Sequence, residues 1–225
     1  MKKAIKLFLY IILCFIPTVL SAQMLIVCAP EFADEMKPFI QWKTQKGMKV
    51  ELITMDKIGS TAAELKNYVA DYYKKNNNRY LLLVGDAEQI PVHFCYEITK
   101  PDPNTAYSDA EYGYISSDEY PPSVLVGRFS AKTTEDVRTQ VERVIYYERD
   151  IDESATWLEN SIGIADPSSN EKGDNDETDI QHIRTINDIL KDNNYTTYEI
   201  SKKNDLVEQL DKGCGIVNYT GHGYT

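Results

Sequence analysis

The residues best suited to chemistry lie in the stretch Gly215 to Thr225, which reads GIVNYTGHGYT. Ile216 and Val217 are β-branched and predict a short strand. That strand runs into His222, which is bracketed by Gly221 and Gly223. Glycine opens backbone conformations closed to other residues and leaves room for a second group beside the imidazole. A histidine where a strand stops and a loop begins is placed for general acid–base work on an α/β sheet. A loop histidine with no task is the plainer alternative. A nucleophile to go with it is harder to find. The cysteines are Cys14, Cys28, Cys95 and Cys214. Cys214 precedes His222 by eight residues, which on one extended strand is roughly 26 Å. Cys28 and Cys95 fall near the ends of other predicted strands but read as core residues, the commonest fate of a free thiol. No CxxC or Cys/His metal spacing occurs, which argues against a structural zinc site.

Composition narrows the partners. Asp and Glu outnumber Lys and Arg by 35 to 24, giving a net charge of −11. Such a surface disfavours nucleic acid and anionic membranes as partners. The 225 residues, 42% of them hydrophobic, suffice to bury one large core or two small ones. The first segment has the form of an export signal. Lys2, Lys3 and Lys6 precede the apolar run Leu7 to Leu20, and Ser21-Ala22-Gln23 offers small residues for cleavage after Ala22. The run is too short for a membrane span, and no other segment suits one. The mature chain is therefore expected to begin near Gln23, to be secreted or held at the cell surface, and to lack a membrane span. It keeps three cysteines, so at least one thiol stays unpaired if all disulfides are internal.

The elements that must position His222 follow from periodicity. Met24 to Ala29, Lys49 to Met55, Arg79 to Gly85 and Ser123 to Phe129 read as strands. Helices are expected over Glu31 to Gly47, from Ser60 or Thr61 to Tyr73, and over Thr133 to Asp150, with Pro38 kinking the first or marking a later start. Pro91 to Pro122 carries five prolines and reads as a long excursion with short strands. A second series follows, with strands at Ser161 to Ala165, Tyr195 to Ile200 and Gly215 to Thr220. Its helices open at Thr178-Asp179-Ile180-Gln181, a capping box, and at Asp205. Ile180, Ile183, Ile186 and Leu190 form the predicted inward stripe of the first of them. Alternating strands and helices predict α/β architecture, with parallel doubly wound sheets and flanking helices. The expected division is a signal over 1–22, an α/β subdomain over 23–155 and a second over 156–225. Ligands meet such sheets at the carboxyl ends of the strands, where Asp86 and His222 both fall. No GxGxxG or P-loop pattern follows any strand, which argues against nucleotide binding.

Several stretches resemble the catalytic domain of the gingipains, secreted cysteine peptidases of the caspase-like clan. They are MLIVCAPEF with FIQWKTQKG, YLLLVGDAEQIP, YSDAEYGY with LVGRFSA, TQVERVIYYER, DETDIQH and GIVNYTGHG. The resemblance implies a caspase-like fold and a Cys–His dyad acting on protein or peptide substrates, with no cofactor needed for the chemistry. His222 takes the place of the dyad's imidazole, which would lower the thiol pKa and then protonate the leaving amine. Gly223 takes the place whose backbone N–H faces the developing oxyanion. The family's cysteine lies on a strand beyond the histidine, so this sequence is expected to be incomplete at the C-terminus, to lack the nucleophile and to be inactive alone. Asp179 matches the aspartate that receives a basic side chain, the natural partner of a guanidinium; an aspartate favoured only by the helix dipole is the alternative. The glutamate that relatives place after the preceding strand meets Ser168 here. The resemblance also implies structural calcium, with Asp86, Glu177 and His182 at ligand positions. Oxygen-rich loops suit that cation, although His does not. Pro121 and Ser123 depart from the family in that region, where Asp118 or Glu119 could substitute. A non-catalytic α/β binding or remnant domain is the competing reading.

Overall fold

A computed structural model of the chain describes residues 23–94, 107–116, 121–152, 154–170, 172–173 and 176–221. Its contacts divide it into two units, the first ending at Asp150 and the second beginning at Ile151. The first strand, β1 (Gln23–Cys28), is buried at every position. It pairs in parallel with β2 (Lys49–Thr54) on one side and β3 (Tyr80–Val84) on the other. A short antiparallel ribbon, β4 (His93–Phe94) with β5 (Tyr107–Ser108), occupies the proline-rich excursion. The fourth parallel strand, β6 (Leu125–Phe129), completes the order β2-β1-β3-β6. Successive side chains of a strand face opposite ways, so the unbroken apolar run of β1 serves two cores. Ile26 and Cys28 meet Phe32, Met36, Phe39, Val137 and Val141 on one face. Leu25 and Val27 meet Leu65, Val69 and Tyr72 on the other.

The flanking helices explain those faces. Instead of one helix from Glu31, two 3-10 turns (Pro30–Phe32 and Asp34–Met36) lead into α1 (Lys37–Gln45). Pro38 is its second residue, where a missing N–H costs nothing. α2 (Ala62–Asn76) opens with a closed capping box: Glu64 N–H donates to Thr61 Oγ1 at 3.2 Å, and Thr61 N–H returns to Glu64 Oε2 at 3.0 Å. Thr133 and Asp136 do the same for α3 (Thr134–Ile145). Where the spacing predicts one helix to Asp150, α3 gives way at Tyr146 to a π turn, Tyr146–Asp150. Arg128 holds the proline-rich excursion to the sheet. Its guanidinium forms a bidentate pair with Asp109, both contacts 2.7 Å, and donates to the carbonyls of Gly85 and Ile90.

The second unit is a parallel sheet of β7 (Asn160–Ile164), β8 (Thr196–Ile200) and β9 (Ile216–Tyr219), in the order β8-β7-β9. Its helices are α4 (Asp179–Asp192) and α5 (Lys203–Asp211). α4 sits tight on β7 because position 163 is glycine; a Cβ there would stand 2.4 Å from Ile183 Cγ2. Of the predicted stripe, Ile180 and Ile183 are buried, while Ile186 and Leu190 are half-buried and Asn187 takes a buried place. Among the described residues, no helix is long and apolar enough to cross a membrane.

Candidate active site

Three chain segments converge at one end of the second unit. β7 and β9 run parallel with Ile164 opposite Tyr219, and Thr220 N–H donates to Ile164 O at 3.0 Å. The residues just past each strand, Asp166 and Gly221, therefore leave the sheet side by side. The third segment is the start of α4. There Thr178 N–H donates to Gln181 Oε1 at 2.8 Å, closing the return half of the predicted capping box. This fixes Asp179 as the first helical residue. Between the segments lies a cleft of about 480 Å³, lined by Asp166, Ser169, Asn170, Asp179, Tyr219, Thr220 and Gly221.

The geometry ties Asp179 to the glycine–histidine motif. Gly221 has φ +152°, and a Cβ at that position would lie 3.7 Å from Asp179 Oδ2 and 3.1 Å from the Tyr219 hydroxyl. Glycine is thus required at the floor of the cleft, and the carboxylate stands against the residue preceding His222. His222 and Gly223 themselves fall outside the described residues. The Asp179 carboxylate makes no hydrogen bond or ion pair among the described residues, whereas Glu177 beside it receives His182 Nδ1 at 2.9 Å. Asp166, which sequence reasoning passed over, contributes a second carboxylate to the cleft. Ser168 donates to Asp166 Oδ1 through its N–H at 2.8 Å and its hydroxyl at 2.6 Å. Those two bonds hold the Asp166 carboxyl below the usual range, against a small opposing effect of burial. Its signal was available: an acid directly beyond a buried strand is where α/β sheets meet ligands.

The remaining candidates are not among the residues that line this cleft. Asp86 belongs to the first unit. Its carboxyl is held below the usual range by the Ala87 N–H at 2.9 Å, with Ser130 and Lys132 adding to the effect against burial. Glu177 and His182 belong to the second. Among the described residues, no three His, Cys, Asp or Glu side chains gather as a metal-binding group. Asp118 and Glu119 lie outside the described residues, as does Cys95. Cys28 ends β1 inside the core, fully buried, with Sγ donating to Ala29 O at 3.2 Å. Burial, with the charge of Glu31, pushes its thiol up to about 12. Cys214, half-buried just before β9, is also raised by burial. A nucleophilic thiol needs the opposite shift.

Residues 18–225 match the model of peptidase family C25. Gingipain R2 of Porphyromonas gingivalis is 34% identical over 213 residues, covering 90% of this chain and 28% of that protein. Lys-gingipain of the same organism is 26% identical over 214 residues, covering 89% and 12%. Among solved structures, the Arg-specific cysteine proteinase gingipain R superposes with a TM-score of 0.80 at 33% identity, covering 91% of this chain and 48% of that one. The chain thus spans about half of the solved gingipain R chain and under a third of gingipain R2. The α/β architecture with parallel sheets is that of gingipain R, a caspase-like fold.

Proposed function

The chain belongs to peptidase family C25, and from that membership we propose that it is a gingipain-like cysteine endopeptidase domain that cuts peptide bonds after basic residues. In this reading His222 takes the thiol proton as sulfur attacks the scissile carbonyl and returns it to the leaving amine. The Gly223 N–H faces the oxyanion, and Asp179 receives the basic side chain before the cut bond. The observation that carries the reading is the approach of Asp179 Oδ2 to within 3.7 Å of the Cβ position of Gly221, one residue from the imidazole. The volume of the cleft, about 480 Å³, falls in the range of roughly 300–1,000 Å³ usual for ligand pockets.

The thiol of the dyad belongs, in this reading, outside the described residues, because Cys28 is sealed in a core and Cys214 precedes β9 at the end remote from the cleft. Export by the N-terminal signal fits an extracellular peptidase. Calcium enters as a structural ion only. Asp86 alone, and Glu177 with His182, are the candidate donors, though each already has protein partners. Wherever this chain supports release of the amine from an arginyl peptide amide, His222→Ala should lower kcat by about 10²–10⁴-fold, the scale of general acid–base catalysis. Cys28→Ala should leave kcat unchanged. Turnover that survives His222→Ala would overturn the reading.

A further inference from the structure

Resting on that reading of the cleft, we infer that Asp166 is a second specificity-determining carboxylate, so that the pocket grips its cation between two acids and thereby selects arginine over lysine. Asp166 and Asp179 reach the cleft from different elements, the end of β7 and the start of α4, and both line it. Ion pairs are plentiful on this surface, for example Arg184 with Glu199 and Lys172 with Asp176. Yet among the described residues no Lys, Arg or His pairs with either Asp166 or Asp179. Two like charges in one concavity repel, and a cation between them removes the repulsion while forming two attractive pairs.

Asp166 is also held ready. The N–H and the hydroxyl of Ser168 both donate to Asp166 Oδ1. Oδ2 has no hydrogen-bond partner among the described residues. The serine thus fixes the orientation of the carboxylate. Tyr219, on the neighbouring strand, also lines the cleft, and an aromatic side chain there favours cations. A guanidinium is planar and carries five donors in a fork, so different edges can meet different carboxylates. An ammonium is a compact point charge that engages one site well. Two separate acids therefore favour arginine.

Binding tests this without requiring turnover. Acetyl-arginine, acetyl-lysine and acetyl-citrulline methylamides, the last a neutral isostere of the first, are titrated into the 225-residue chain at low salt. The parent should bind the arginyl probe most tightly. Asp166→Asn, which keeps size and shape, should weaken the arginyl probe about three- to fivefold, the scale of a charge pair still reached by water. It should narrow the arginine-to-lysine ratio and leave the citrulline probe unchanged. Ser168→Ala keeps the charge but frees the carboxylate, and should weaken the arginyl probe less. A matching thermal melt for each variant excludes unfolding as the cause. If Asp166→Asn binds the arginyl probe like the parent while the parent still prefers arginine to citrulline, the role of Asp166 falls and the basic pocket stands. If the parent does not distinguish arginine from citrulline, both fall.

Discussion

The two units carry out one parallel α/β plan with very different amounts of burial. In the first, β1 is closed on both faces by helices, and two apolar clusters share its alternating side chains. In the second, the main cluster is Ala165, Ile180 and Ile183. Val217 and Tyr219 of β9 are 50% and 58% exposed, and α5 leaves Val207 and Leu210 largely uncovered. The cleft is in the second unit. Tyr219 of β9 is both exposed and part of the cleft. The first unit thus carries the larger buried core, and the candidate cleft lies in the second.

The largest contrast should appear in thiol chemistry. A rise from the ordinary 9.0 to about 12 leaves Cys28 with about a thousandfold less thiolate than an ordinary cysteine below pH 9. Iodoacetamide at pH 8 followed by peptide mapping should label Cys214 well before Cys28. Labelling of Cys28 at the rate of an ordinary thiol would break the picture of a sealed first core. Next comes packing. Leu83, fully buried on β3, should lose about 3–5 kcal/mol of stability on Leu83→Ala, near the upper end for core truncations. Ile183→Ala should cost about 2–3 kcal/mol, because the smaller core around it relaxes more easily. Denaturant melts followed by probes in each unit would measure both, and equal losses would erase the contrast.

Alkali gives a third separation. Cys28, Tyr72 and Tyr112 of the first unit all titrate near 12 in the fold, chiefly because of burial, with Glu31, Glu51 and Asp109 respectively adding to it. Each folded pKa is raised, so the stability these groups contribute is complete below the unfolded values, about 9 to 10. It is lost as pH climbs from there through 12. Melts between pH 8 and 12 should show the first unit weakening steadily over that window; a flat profile would contradict the burial of these groups. The smallest effect concerns calcium. If it is bound, millimolar calcium should raise the melting temperature by a few degrees. Asp86→Asn and Glu177→Gln would show which unit responds, and no shift in the parent would remove the ion from the account.

Much of the scaffold was legible because its signals are local. The capping box at Thr61 needs only residues three apart and closes as the spacing demands, and of the two caps open to α3, Thr133 or Thr134, Thr133 is the one used. Pro38 marks a later helix start, one of the two outcomes its position allowed. What the sequence hides is contact between distant segments. Lys43 of α1 pairs with Glu148 of the distant π turn, and Trp42 Nε1 donates to the same carboxylate at 2.9 Å. Asn187 displaces Ile186 from the buried stripe because the smaller amide fits above Gly163. The same limit applies to the site. The glycine–histidine motif stands out in the residues themselves, whereas Asp179 is singled out through the family resemblance. Asp166 is legible as an acid just beyond a strand, but its meeting with Gly221 in one cleft depends on β7 and β9 ending side by side.

In the proposed function Asp179 is the seat of a basic side chain beside the histidine motif, and one affinity ratio tests that most directly. The dissociation constants of acetyl-arginine and acetyl-citrulline methylamides should differ strongly in the parent and converge in Asp179→Asn. The arginyl probe should lose about 2 kcal/mol, the lower end for a hydrogen-bonded charge pair left without its partner. The citrulline probe should be unaffected. If Asp179→Asn keeps the parent's preference for arginine, Asp179 is only a helix-start aspartate and the basic pocket lies elsewhere.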